Sequence, residues 1–182
     1  MRRSITAAAA LLALAGPAIA FGASQAAGRE QRASRQTVAY YGREIARFEK
    51  GTWYWQRVMG LAATAADGRE LARLSSRELQ LLDQRWQQRS AAAYRQAQHP
   101  PHLQALLCIH RHEATWDDPG APYYGGLQMD LGFQRTYGGW LYRAKGTADR
   151  WTPLEQIWTA EKAVKSRGFW PWPSAARLCG LV

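Results

Sequence analysis

His102-Leu103-Gln104-Ala105-Leu106-Leu107-Cys108-Ile109-His110-Arg111-His112-Glu113-Ala114-Thr115-Trp116 reads as a short helix that starts after the Pro100-Pro101 pair and runs out at Glu113, just ahead of an aromatic residue. Working outward toward the C-terminus, Asp117-Asp118-Pro119-Gly120 is a turn. Tyr123-Tyr124-Gly125-Gly126-Leu127-Gln128 then reads as a tight turn joined to a short extended piece. A helix near 131–137 is expected to stop at Gly138-Gly139. The next opens at Thr152-Pro153-Leu154-Glu155, with an N-cap Thr, Pro at the first helical position and Glu at the third, and runs to Gly168. The chain closes on Phe169-Trp170-Pro171-Trp172-Pro173 and Cys179. This grammar predicts a mainly α domain (α+β with minimal sheet) over residues 100–182.

Toward the N-terminus, residues 36–99 read as a helical segment. Val38, Tyr41, Ile45, Phe48, Trp55 and Met59 follow steps of three and four, interrupted at Thr52, and Gly51 predicts a kink or break. Ser75-Ser76-Arg77-Glu78 has the form of a capping box, and Leu79, Leu82, Trp86 and Ala93 mark the buried face of the helix it opens. The two helices are expected to pack on each other or on the following domain, although the same stripe could grip a partner.

The first residues set the compartment. Arg2 and Arg3, an apolar run from Ile5 to Leu14, and Ala18-Ile19-Ala20 compose a signal peptide over 1–20, followed by a flexible leader over 21–35. The expected product is secreted, with no stable membrane insertion once the signal is removed. The formal net charge of +10 calls for an acidic partner or surface. Nucleic acid would satisfy charge alone, but composition is its sole support, and the expectation is no nucleic-acid partner. In an exported chain the two cysteines, Cys108 and Cys179, read as one disulfide, with two free buried thiols as the alternative.

All four histidines lie between 99 and 112, yet His110 and His112 are two apart and face different ways on a helix, so no metal site and no cofactor are expected. Glu113 carries more chemistry. A carboxyl at a helix end, beside aromatic rings, loses hydration, which disfavours its charged form and makes it a proton donor at a glycosidic oxygen. Standing alone, such a Glu is as readily a surface residue. Trp116, Tyr123 and Tyr124 offer flat faces for sugar rings, and Gln128 offers an amide for their hydroxyls; each could equally be core. Trp170 and Trp172, held between prolines, read as structural. Asp117, Asp118 and Asp130 are the nearby second carboxylates, the first two more naturally part of a turn.

Taken in order, these residues form a constellation: Cys108, Glu113 five positions on, Trp116, Tyr124-Gly125-Gly126-Leu127-Gln128, a Glu-bearing helix from 152, Trp-Pro, and a C-terminal Cys-Gly. This resembles the catalytic domain of the resuscitation-promoting factors, a branch of the lysozyme-like and lytic transglycosylase superfamily, over about residues 102–182. The resemblance implies that Glu113 is the catalytic acid, that Cys108 bonds Cys179, and that residues 123–128, with Tyr124, Gly125, Gly126 and Gln128, line a groove for the glycan of peptidoglycan. It also implies that the glycan and its wall are where the secreted chain acts; Trp116 and Asp130 are expected to complete the groove. It implies a muralytic enzyme, a transglycosylase or a glycoside hydrolase, and leaves room for a cell-wall hydrolase partner. The family commonly follows its Glu with Ser-Gly-Gly, where this chain has Ala114-Thr115. The competing reading is a secreted wall-binding or growth-signalling protein of the same fold without turnover.

Overall fold

The computed structural model describes residues 32–182. Helix α1 (Arg35–Met59) begins where the Ser34 hydroxyl accepts the Thr37 amide hydrogen at 3.1 Å, and ends at Gly60, whose φ of 75° is left-handed. It therefore starts inside the 21–35 stretch expected as leader. Arg32 pairs with Ser75 in an isolated antiparallel bridge, and the Ala33 amide donates to the Leu74 carbonyl at 3.2 Å. The signal-peptide reading and most of the leader lie outside the described residues.

Helix α1 runs unbroken through Gly51, correcting the expected kink. A Cβ at Gly51 would lie 2.7 Å from the Ser90 hydroxyl, so this glycine lets α1 approach α2 closely. Helix α2 (Ser76–Ala97) opens with the capping box in full: the Ser75 side chain accepts from Glu78 N–H, and Glu78 Oε2 accepts from Ser75 N–H at 2.8 Å. Leu79, Leu82, Trp86 and Ala93 are all buried, as the periodicity requires. With Ile45 and Leu74, the first three form one apolar cluster between the two helices.

Helix α3 (Leu103–His112) carries Cys108. A two-stranded antiparallel sheet follows, β1 (Tyr123–Tyr124) and β2 (Met129–Asp130), pairing Tyr123 with Asp130 and Tyr124 with Met129. Helix α4 (Leu131–Lys145) continues past the expected stop at Gly138-Gly139, with a kink where Gly138 leaves helical geometry (φ −118°, ψ 20°). A Cβ at Gly138 would lie 2.6 Å from Trp151 Cη2, so the glycine makes room for an indole. Helix α5 (Pro153–Arg167) opens with the second capping box, Thr152 with Glu155. The chain then forms α6 (Pro173–Leu178), which the Pro-Trp-Pro sequence gave no reason to expect; Pro173 occupies its first position, where no amide hydrogen is needed. The result is mainly α with one minimal sheet.

A second apolar cluster holds this half together, with Leu106, Ile109, Leu127, Met129, Leu141 and Trp151 among its buried members. The Cys108–Cys179 disulfide ties α3 to the residue after α6 across a sequence separation of 71. By chain entropy a bridge over such a loop is worth roughly 4 kcal/mol. The α1–α2 pair docks on this half through several contacts. Tyr54 meets Trp140 edge-on at 5.6 Å, and the Trp158 indole donates to the Ala97 carbonyl at 2.7 Å. Lys145 Nζ contacts Glu155 Oε1 at 2.5 Å and the Tyr54 hydroxyl at 3.2 Å. Glu155 is fully buried; burial raises its pKa, opposed by the Thr152 amide, and burial lowers that of Lys145.

Candidate functional site

Glu113 caps the C-terminal end of α3, its amide donating to the His110 carbonyl at 3.2 Å. Its carboxyl is part-buried and has no hydrogen bond or ion pair to any described residue. Loss of hydration raises its pKa, and the neighbouring His112 charge works in the opposite direction.

Glu113 opens onto two hollows. One, of about 510 Å³, is lined by His110, Arg111, Thr115, Trp116 and Asp117. The other, of about 260 Å³, is lined by Tyr123, Gln128, Pro171, Trp172 and Ser174. A third, of about 380 Å³, shares Tyr123, Gln128, Pro171 and Trp172 with the second and extends past Asp130 to Tyr137 and Arg167. Shared walls make the three one groove, with Glu113 between its first and second parts.

The walls are fixed by local chemistry. The His110 ring stacks on Trp116 with centroids 3.8 Å apart, and its Nδ1–H donates to the Gly126 carbonyl at 3.1 Å. Gly126 is buried against both: a Cβ there would lie 2.6 Å from His110 Nδ1 and 2.7 Å from Trp116 Cε3. Gly125 has φ of 73°, and a Cβ there would lie 2.5 Å from Gln156 Oε1. The two glycines thus shape the segment from within and present no side chain to the groove. Gln156, fully buried on α5, locks the arrangement: its Oε1 accepts the Gly126 amide hydrogen, and its Nε2 donates to the carbonyls of Trp116, Ala148 and Trp151. No local pattern marks Gln156, because its bonds to the groove wall, at Gly126 and Trp116, span 30 and 40 positions.

The sheet register separates the tyrosines. Side chains alternate along a strand, and Tyr124 packs on the core cluster with buried Met129. Tyr123, paired with Asp130, is 49% exposed and lines the groove. Of the two tyrosines, Tyr123 therefore lines the groove and Tyr124 packs on the core. Gln128, with φ of 47°, lines the groove, but its Nε2 is occupied by Asp118 Oδ2 at 2.8 Å and the Gly125 carbonyl at 3.1 Å; only its Oε1 faces no described partner. Trp172 anchors the C-terminal wall by donating from its indole to the Leu127 carbonyl at 2.7 Å.

The three aspartates differ in freedom. Asp118 uses both oxygens inside its loop, on the Gly120 amide and on Gln128. Asp130 caps α4, its Oδ1 accepting the Phe133 amide hydrogen at 2.7 Å. Asp117 is exposed, lines the first hollow and has no partner among the described residues. His112 has a ring nitrogen clustered with both disulfide sulfurs, but these are bonded to each other and offer no thiolate to a metal. Among the described residues, no helix is long and apolar enough to cross a membrane. Compared with known proteins, the chain matches no family model, no curated protein and no solved structure.

Proposed function

We propose that this chain is a secreted enzyme that cuts the glycan strand of peptidoglycan, with Glu113 as its single general acid. The observation that carries the reading is a part-buried carboxyl without a protein partner, raised in pKa by burial, in the middle of an aromatic-walled groove. The resemblance of residues 102–182 to the resuscitation-promoting factor domain supports the same assignment.

In the reaction, protonated Glu113 gives its proton to the glycosidic oxygen, and the C–O bond to the leaving sugar breaks as that oxygen becomes a hydroxyl. A hydroxyl of the remaining sugar attacks the anomeric carbon and returns its proton to the Glu113 carboxylate, leaving an anhydro sugar. The single-acid route is favoured because Asp118 uses both oxygens in its loop, and Asp130, which caps α4, lines neither of the hollows that Glu113 opens onto. Asp117 is the candidate for a two-carboxylate hydrolase. Incubating the purified protein with cell wall and weighing the released fragments by mass spectrometry tests the reading. Anhydro-muramyl ends support it, free reducing ends point to hydrolysis, and no fragments favour the wall-binding alternative.

A further inference from the structure

The outer arm of the groove is chemically asymmetric. At its inner end Asp130 has one carboxylate oxygen committed to capping α4. Tyr137 lies seven residues further along α4, about 10 Å at the rise of an α-helix, and its hydroxyl is held by Ser166 Oγ at 3.2 Å. Next to Ser166, Arg167 ends α5 and lines the same arm. Arg167 is exposed, and its guanidinium has no hydrogen bond, ion pair or ring contact with any described residue. Tyr123 and Phe133 line the arm as well. Because this arm shares four wall residues with the hollow at Glu113, its occupant is continuous with whatever is cut there.

From this we infer that the arm binds the carboxylate-bearing peptide attached to the sugar, with Arg167 as the residue that recognises the carboxylate. An unpaired guanidinium presents a planar fork of donors matched to a carboxylate, a geometry that an ammonium lacks. Tyr137 lines the same arm, and the rings of Tyr123 and Phe133 are available to the apolar part of the substituent. Asp130 forms no ion pair with Arg167, and its second oxygen, without a partner among the described residues, is open to a sugar hydroxyl or an amide hydrogen. The inference rests on the glycan-cleaving reading of Glu113 and adds to it a preference for substituted over neutral glycan.

The test uses the exported protein and two substrates: intact wall glycan, and the same glycan with its peptide carboxylates converted to neutral amides. Arg167→Ala is expected to raise KM on the intact substrate about tenfold, the usual scale for a lost charge-assisted hydrogen bond, with kcat little changed. On the amidated substrate the wild type should already show the raised KM, and Arg167→Ala should add nothing. Arg167→Lys should recover only part of the loss, and the melting temperature should be unchanged in both variants. An equal loss on both substrates, or none on either, overturns the inference. Glu113→Gln run in parallel separates the two readings. If it abolishes cleavage while Arg167→Ala leaves KM untouched, the arm is misassigned and the catalytic reading stands. If Glu113→Gln still cleaves, the catalytic reading itself fails.

Discussion

His110 and Trp116 lie stacked at 3.8 Å with their planes 19° apart, and Gly126 is pressed against both rings. The aromatic wall beside Glu113 therefore depends on the absence of a side chain at Gly126. Gly126→Ala places a methyl within 2.7 Å of each ring, and neither ring is the free end of a flexible chain. We expect a loss of about 1–3 kcal/mol, read as a lower melting temperature, together with weaker wall cleavage. Gly68→Ala, with open space around the new methyl, is the control and should be neutral.

The pH profile should report Glu113. A general acid works only while protonated, so activity is full below its pKa and is lost as pH rises through it. Burial moves this alkaline limb above the ordinary carboxyl value, and the His112 charge pulls it back down. His112→Gln should shift the limb to higher pH without moving the acidic side. A limb that stays in place would mean His112 does not act on Glu113.

Reduction of the Cys108–Cys179 bridge, or Cys179→Ser, should lower the melting temperature markedly, since loss of a native disulfide typically costs 2–5 kcal/mol. Two reactive thiols in the native exported protein would contradict the bridge.

A chain beginning at Pro100 should fold and retain some cleavage, because the second apolar cluster draws only on residues after that point. It should be less stable than the whole, as it loses the Tyr54 contacts to Lys145 and Trp140 and the Ala97 acceptor for Trp158. Circular dichroism and a melting curve decide this; an unfolded product would place α1 and α2 inside the catalytic core.

Signals carried by neighbouring residues were legible in the sequence. Both capping boxes, at Ser75 and Thr152, are where the spacing puts them, because each is closed within four residues. Glycines are less legible. Gly51 is no break and Gly138 is a kink rather than a stop, and each makes room for a side chain from another element, Ser90 and Trp151, which no local pattern announces. The helix at Pro173 is hidden in the sequence for a related reason, since proline breaks a helix interior but suits its first turn. In the site, Glu113 stood out by its neighbours, whereas the choice between Tyr123 and Tyr124 needed the strand register. Gln156 needed the whole tertiary fold.

The central claim is that Glu113 delivers the proton. Glu113→Gln keeps shape and removes the proton at neutral pH. The raised pKa means the folded state holds that proton more tightly than the unfolded chain does. The stability contributed by Glu113 is therefore full below the unfolded carboxyl's pKa and lost as pH rises through the folded one, so an uncharged Gln should not lower the melting temperature at pH 7. Cleavage of purified wall glycan should fall about 10²–10⁴-fold, with substrate binding kept and with Asp117→Asn, Asp118→Asn and Asp130→Asn each retaining turnover. If folded Glu113→Gln protein cleaves wall glycan at the wild-type rate, Glu113 is not the acid and the account is wrong.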